Sequence, residues 1–193
     1  SLYCSRQMLT DSNLKPYGLS SVLPSNPSFL MALTQNIATG CTIILSPGAV
    51  EVINKNMPPP RFTLHDWWSY LLVSGVGGII ITDNEPSLYY RQHDNNTVGA
   101  PRFFIMRAWS AFKRGPSKFM RIFGENIEAL LQDNVALEKQ NKSALLQIQS
   151  GLHKKGLLQY IVRYNLLKTL SKMRRSKYSE SFVFYIWFIR GIK

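Results

Sequence analysis

Apolar and polar positions change their rhythm once along this chain. From residue 1 to about 100 the apolar runs are short and broken by Pro, Gly, Asn and Ser. Leu2 to Leu9 reads as a strand, followed by a polar loop rich in Ser, Asn and Pro. Asn26-Pro27-Ser28 opens a short helix over Phe29 to Gln35. Thr42-Ile43-Ile44-Leu45 is short and β-branched, the pattern of a buried strand. Ser46-Pro47 opens a helix to about Asn54, with Ser capping and Pro at the first position. The run Met57-Pro58-Pro59-Pro60-Arg61 cannot be helical. Trp67 to Val76 can, until Gly75 to Gly78 breaks it. Gly78 to Thr82 and Ser87 to Gln92 read as two strands with a corner at Glu85-Pro86. Strands alternating with helices predict an α/β layer.

From Pro101 onward the spacing becomes helical. Ile127, Leu130, Leu131, Val135 and Leu137 form one series, and Leu145, Leu146 and Ile148 the next. Leu157, Leu158, Ile161, Val162, Leu166, Leu167 and Leu170 form another, so three or four helices are expected. Phe182 to Ile189 is eight apolar residues, too few for the roughly twenty that span a bilayer. Basic residues flank it on both sides. Either it packs on the other helices, or its aromatic face docks on anionic lipid; the two are compatible.

Charge follows the same division. Before Arg102, five Lys and Arg stand against six acids; from Arg102 onward the count is 18 against 5, a net +13 within the chain's +12. Two parts with such different charge are expected to do different work. The boundary is placed between 1–100 and 101–193. Hydrophobic residues make up 45% of the 193, enough to bury a core. Cys4 and Cys41 form neither a disulfide framework nor a zinc pattern, and they suit a reducing compartment. A chain that opens inside a strand is expected to be part of something longer.

Several chemistries are excluded by motif. There is no Gly-x-Gly-x-x-Gly, phosphate loop, His-Glu-x-x-His or Gly-x-Ser-x-Gly. Gly75-Val76-Gly77-Gly78 follows a helix and reads as its C-cap. Asp83-Asn84-Glu85 has the spacing of a metal clamp, and a turn before Pro86 explains it equally well. Two stretches stand out. His65-Asp66-Trp67-Trp68 places a carboxylate beside an imidazole and ahead of two indoles. Asp66 can be a helix N-cap, or a general base with indoles that stack on a sugar ring. Tyr89-Tyr90-Arg91-Gln92-His93 ends a strand; Arg91 can bind a phosphate or carboxylate through two parallel bonds, and His93 can ligate a metal or hold a phosphate.

Together these residues carry a resemblance. Asn36-x-x-x-Gly40-Cys41-Thr42, then His65-Asp66-Trp67-Trp68, then Pro86-x-x-x-Tyr90-Arg91-Gln92-His93-x-Asn95-Asn96-x-Val98-Gly99 resembles family 2 glycosyltransferases of the GT-A fold. The likeness is greatest to bacterial rhamnosyltransferase-type members that build surface polysaccharides, and it covers roughly residues 1–100. It implies the C-terminal part of a Rossmann-like GT-A domain, followed by an α-helical extension. It implies an inverting transfer of a sugar, rhamnose among the candidates, from a nucleotide-sugar donor to a glycan or lipid-linked acceptor. Asp66 falls at the family's catalytic base. Gly40, Cys41, His65, Trp67, Trp68, Arg91 and Gln92 fall at substrate-binding positions, and His93 at a metal or diphosphate contact.

The family's Asp-x-Asp motif, which holds a divalent cation (Mg or Mn) against the nucleotide diphosphate, is absent here. The nucleotide-binding half is expected upstream of residue 1. The chain by itself is then expected to be inactive, to bind no metal, and to be sticky along an uncovered strand edge. The +13 part is expected to hold the enzyme at the inner face of the cell membrane, on the cytoplasmic side. The alternative is a basic helical module for nucleic acid or a membrane surface, without catalysis. Against nucleic acid, the tail's aromatics gather in one apolar cluster instead of interleaving with Lys and Arg.

Overall fold

The computed structural model describes residues 1–92, 115–132, 134–153, 158–173, 175 and 178–190. Strand β1 (Leu2–Thr10) is the axis of a small mixed sheet. Along one side it pairs in parallel with β4 (Ile80–Arg91), from Leu2 opposite Ile80 to Thr10 opposite Arg91. On the other side it pairs antiparallel, first with β3 (Ile44–Leu45) at Leu2 and Tyr3, then with β2 (Pro16–Leu19) at Met8 to Thr10. Leu2, Cys4, Ser5, Gln7 and Thr10 are buried, as a central strand covered on both faces requires.

Three expectations for this part change. The polar loop after β1 folds back as β2. Asp11 Oδ1 accepts from the backbone N–H groups of Asn13 and Lys15, both at 2.9 Å, and closes the hairpin. The corner at Glu85-Pro86 is absent: β4 is one twelve-residue strand. Pro86 has no N–H to contribute, and the ladder shifts register on either side of Arg6 to accommodate it. The run 42–45 yields only two strand residues, after a 3-10 turn at Gly40–Thr42, and Ile44 is exposed. Among the described residues β4 has β1 on one side and no strand on the other, with Ile79, Ile81 and Tyr89 exposed.

Polar side chains pin β1 to β4. Tyr3 Oη donates to Asp83 Oδ2 at 2.8 Å, Asp83 Oδ1 accepts from the Glu85 N–H at 2.9 Å, and the Ser5 and Ser87 hydroxyls share a bond. Asn84 exchanges two bonds with the backbone of Leu23. The 83–85 stretch is thus strand architecture. The Glu85 N–H and the Tyr3 hydroxyl hold the Asp83 carboxyl below its ordinary range, while bonding to Asp83 raises Tyr3 above its own. The signs follow. The Asp83 contribution is present above the unfolded aspartate value and fades as pH falls through the lower folded one. The Tyr3 contribution is present below the unfolded tyrosine value and fades as pH rises through the higher folded one. Thermal melts against pH should show Tyr3→Phe losing less stability than wild type on acidification below the aspartate range. Identical slopes would remove the pairing from the account.

Three helices cover the sheet segment. Helix α1 (Phe29–Ala32) is capped by Ser28, whose Oγ accepts from Met31 N, and is shorter than the spacing predicts. Helix α2 (Pro47–Lys55) starts as expected, with Ser46 Oγ accepting from Ala49 N. Helix α3 (His65–Gly75) has Leu64 at its N-cap, so Asp66 is its second residue and not its cap. It ends where the glycines begin. Gly77 has a φ of +82°, and a Cβ on Gly78 would stand 2.6 Å from the Val73 carbonyl oxygen.

Among the described residues the second part contains helices α4 (Gly115–Leu130), α5 (Lys139–His153), α6 (Leu158–Asn165), α7 (Leu167–Ser171) and α8 (Tyr178–Arg190), where three or four helices are expected. Met120, Phe123, Ile127 and Leu130 of α4 are buried at helical spacing. Phe184 and Phe188 of α8 meet the Phe123 ring edge-on, with centroids 5.4 and 6.4 Å away. Full burial of each such ring stabilises by about 2–3 kcal/mol. Both parts share one hydrophobic cluster. Polar ties cross between them. Thr34 Oγ1 donates to the Met173 carbonyl at 2.9 Å, Arg175 Nη1 to the Thr34 carbonyl at 2.6 Å, and Asn141 Nδ2 to the Gly75 carbonyl at 3.0 Å.

Candidate functional site

The first turn of α3 meets the segment between α1 and β3, and Asp66 is the meeting point. Three N–H groups donate to its carboxylate. Asn36 Nδ2 reaches Oδ1 at 3.1 Å, the Trp67 N–H reaches Oδ1 at 2.6 Å, and the Gly40 N–H reaches Oδ2 at 3.1 Å. An acid in the first helical turn also faces the positive end of the helix dipole. Asn36 Oδ1 in turn accepts from the Ala38 N–H at 3.0 Å, which shapes the 36–40 segment. The half-buried carboxylate is therefore held in one orientation, with one acceptor position still open on Oδ2.

Gly40 lets the two segments approach closely. A Cβ would lie 3.0 Å from His65 Nε2 and 3.8 Å from Asp66 Cβ. The exposed His65 therefore stacks beside the 40–42 turn, next to the carboxylate. Cys41 belongs to the same turn and is exposed. Its thiol is pushed up, chiefly by desolvation and secondarily by the Asp66 charge. Cys4 lies in the core, where burial pushes its thiol up to about 11. Alkylation of native protein near neutral pH should thus modify Cys41 and spare Cys4 until unfolding. Asp66→Asn should quicken the Cys41 reaction by removing the adjacent negative charge. Equal rates in the two proteins, measured by mass spectrometry, would separate Cys41 from the Asp66 cluster.

The two indoles have different surroundings from those expected. Trp67 is half-buried, and its Nε1–H donates to the Ala32 carbonyl at 2.7 Å. Trp68 is 2% exposed, and its Nε1–H donates to the Asn56 carbonyl at 2.9 Å. Successive helical residues point about 100° apart, so the residue after Trp67 turns into the core. Trp68 is thus a packing residue, with no open ring face for an acceptor.

Asp66, His65, Gly40, Cys41 and the base of Trp67 come together. Among the described hydrogen bonds, none links Arg91 or Gln92 to them. Both residues stand at the C-terminal end of β4, where Arg91 is opposite Thr10 and the Gln92 N–H donates to the Thr10 carbonyl at 2.9 Å. His93 lies outside the described residues, as do Asn95, Asn96, Val98 and Gly99. Asn36 is the residue whose role sequence reasoning missed, although its four-residue spacing from Gly40 was the available signal. Among the described residues, no three of His, Cys, Asp and Glu gather to hold a metal ion.

Comparison with known proteins adds one likeness. No family model matches the chain, and no solved structure matches it. A 66-residue stretch, 32% of this chain, is 32% identical to the dTDP-rhamnosyl transferase RfbG of Shigella flexneri. That stretch spans 23% of the Shigella protein. At this coarse level the chain is similar to part of a glycosyltransferase, carried on a mixed α/β fold.

Proposed function

We propose that the chain forms the acceptor side of an inverting glycosyltransferase, with Asp66 as its base. The observation that carries this reading is the triple N–H clamp on the Asp66 carboxylate. A base must meet the acceptor hydroxyl at about 2.6–3.2 Å, and the open position on Oδ2 allows it. The hydroxyl proton passes to Asp66 while its oxygen bonds to the anomeric carbon. The bond from that carbon to the nucleotide diphosphate breaks, and the configuration inverts. His65 and the 40–42 turn flank the point of approach. The Shigella likeness supports rhamnose as the sugar; a glycan or lipid-linked glycan is the acceptor assigned here. The divalent cation that such donors use finds no donor set in the described residues, and the step assigned to Asp66 is proton transfer alone.

The native protein from its source cells, supplied with labelled dTDP-rhamnose and extracted lipid-linked glycan, should produce labelled glycan. No transfer from this or any other nucleotide sugar would overturn the reading.

The exposed side of α8 supports a membrane-surface placement. Tyr178, Phe182 and Ile186 recur every four residues and are exposed, while Phe184 and Phe188 point into the core. No helix of the described residues is long and apolar enough to cross a membrane. Cosedimentation with anionic liposomes should occur and should weaken as salt rises. Binding indifferent to salt and lipid charge would overturn the electrostatic part.

A further inference from the structure

The outer side of α6 carries an apolar face of its own. Tyr160, Ile161 and Tyr164 are 47%, 59% and 67% exposed. Each helical residue turns about 100°, so these three lie within roughly 100° of arc. Arg163, between them in sequence, is buried. The helix contains no acid. A tyrosine has an apolar ring and a polar tip, which suits it to the boundary between hydrocarbon and water. One exposed apolar residue needs no explanation, but three on adjacent turns form a surface.

Charge decides what this surface can meet. From Lys139 to Lys193, twelve Lys and Arg stand against one acid. That acid, Glu180, is paired with Arg175 at 3.1 Å. A second copy of the chain meeting this face would bring like charges together. Anionic headgroups would be attracted, and the attraction adds to the burial of apolar side chains. Arg163 also makes one body of α6 and α8. Its Nε donates to the Gly151 carbonyl on α5 and its Nη1 to the Ile189 carbonyl on α8. We propose that Tyr160, Ile161 and Tyr164 form a second lipid-docking face, which seats α6 on an anionic bilayer beside α8. A single helix leaves the protein free to roll about its axis; a second contact fixes the tilt. The proposal rests on the membrane-surface reading of α8 and adds a contact which that reading does not require.

Cosedimentation of the full chain with phosphatidylcholine vesicles, with and without phosphatidylglycerol, tests this. Wild type should bind the anionic vesicles. Ile161→Ser combined with Tyr164→Ser should lower partitioning by about tenfold, and Phe182→Ser on α8 should lower it separately. All three positions are exposed, and thermal melts check that the fold survives. Tyr164→Trp, which keeps an amphipathic ring, should bind at least as well as wild type. If wild type binds neither vesicle, the α8 reading and this proposal fall together. If Phe182→Ser weakens binding and the α6 pair does not, α8 docks alone and this proposal falls. A dimer in sedimentation equilibrium that the α6 pair disperses would give the face to a second copy and overturn the proposal as well.

Discussion

In the native protein from its source cells, Asp66→Asn should lower the turnover of sugar transfer by about 10²–10⁴-fold, the usual contribution of a positioned general base. The substitution keeps the shape and removes the negative oxygen that would take the proton. It also weakens the clamp. An amide cannot accept from Asn36, Trp67 and Gly40 together, because one of its two ends must donate. About 1–2 kcal/mol of stability should go with it. The control is Asn36→Ala, which removes one donor to the same carboxylate and leaves the charge. If Asp66 were only a strut between α3 and the 36–40 segment, both variants would lose activity in proportion to stability. The base reading requires Asp66→Asn to lose far more turnover than its melting temperature accounts for. Initial rates at saturating acceptor, beside thermal melts, separate the two.

Arg163→Leu should cost about 3 kcal/mol of stability, or roughly 10 °C in a chain of this size. Arg163 lies on α6, is 2% exposed, and ties three chain segments together. Its Nε donates to the Gly151 carbonyl at 2.9 Å and its Nη2 to the Leu152 carbonyl at 3.2 Å, near the end of α5. Its Nη1 donates to the Ile189 carbonyl at 3.2 Å, near the end of α8. These are carbonyls of final helical turns, which have no partner within their own helix. A cation there also complements the negative ends of two helix dipoles. Burial lowers the Arg163 pKa, so part of the gain is offset by desolvation. Leucine would fill the volume and leave one buried and two part-buried carbonyls without the guanidinium. Arg163→Lys should rescue little, since one ammonium cannot reproduce the planar fork. A lysine variant as stable as wild type, in thermal or urea unfolding, would refute the fork argument.

Where local chemistry decides an element, the sequence and the structure agree. Ser46-Pro47 starts α2, Gly75 to Gly78 ends α3, and Leu2 begins the central strand. The differences arise where a distant partner decides. Pro86 reads as a corner because it breaks ladders. It sits inside β4 because the register with β1 shifts around Arg6. The hairpin to β2 had no glycine signal, since Leu14 takes the positive φ of 63° that Gly or Asn usually takes. Ile44 reads as core by its β-branched neighbours, yet only two residues of that run pair with β1. At the site, the His65-Asp66 pair is visible because two titratable side chains stand together directly ahead of two indoles. The tie to Asn36 was invisible as a contact, because it joins residues thirty positions apart through a turn without regular structure. Trp68 was misplaced because stacking surface and core packing call for the same side chain.

The aromatic joint between α4 and α8 has a further consequence. Phe184 and Phe188 lock α8 to α4, and Arg175 and Thr34 fasten the neighbouring chain to the segment after α1. That segment runs on through Asn36 to Gly40, the residues that hold Asp66. The helix that exposes Tyr178, Phe182 and Ile186 is thus joined through packed elements to the proposed base. On a membrane the protein would behave as a gauge block. The height of Asp66 above the lipid headgroups would be set by the fold, and only glycans presenting a hydroxyl at that height would be extended.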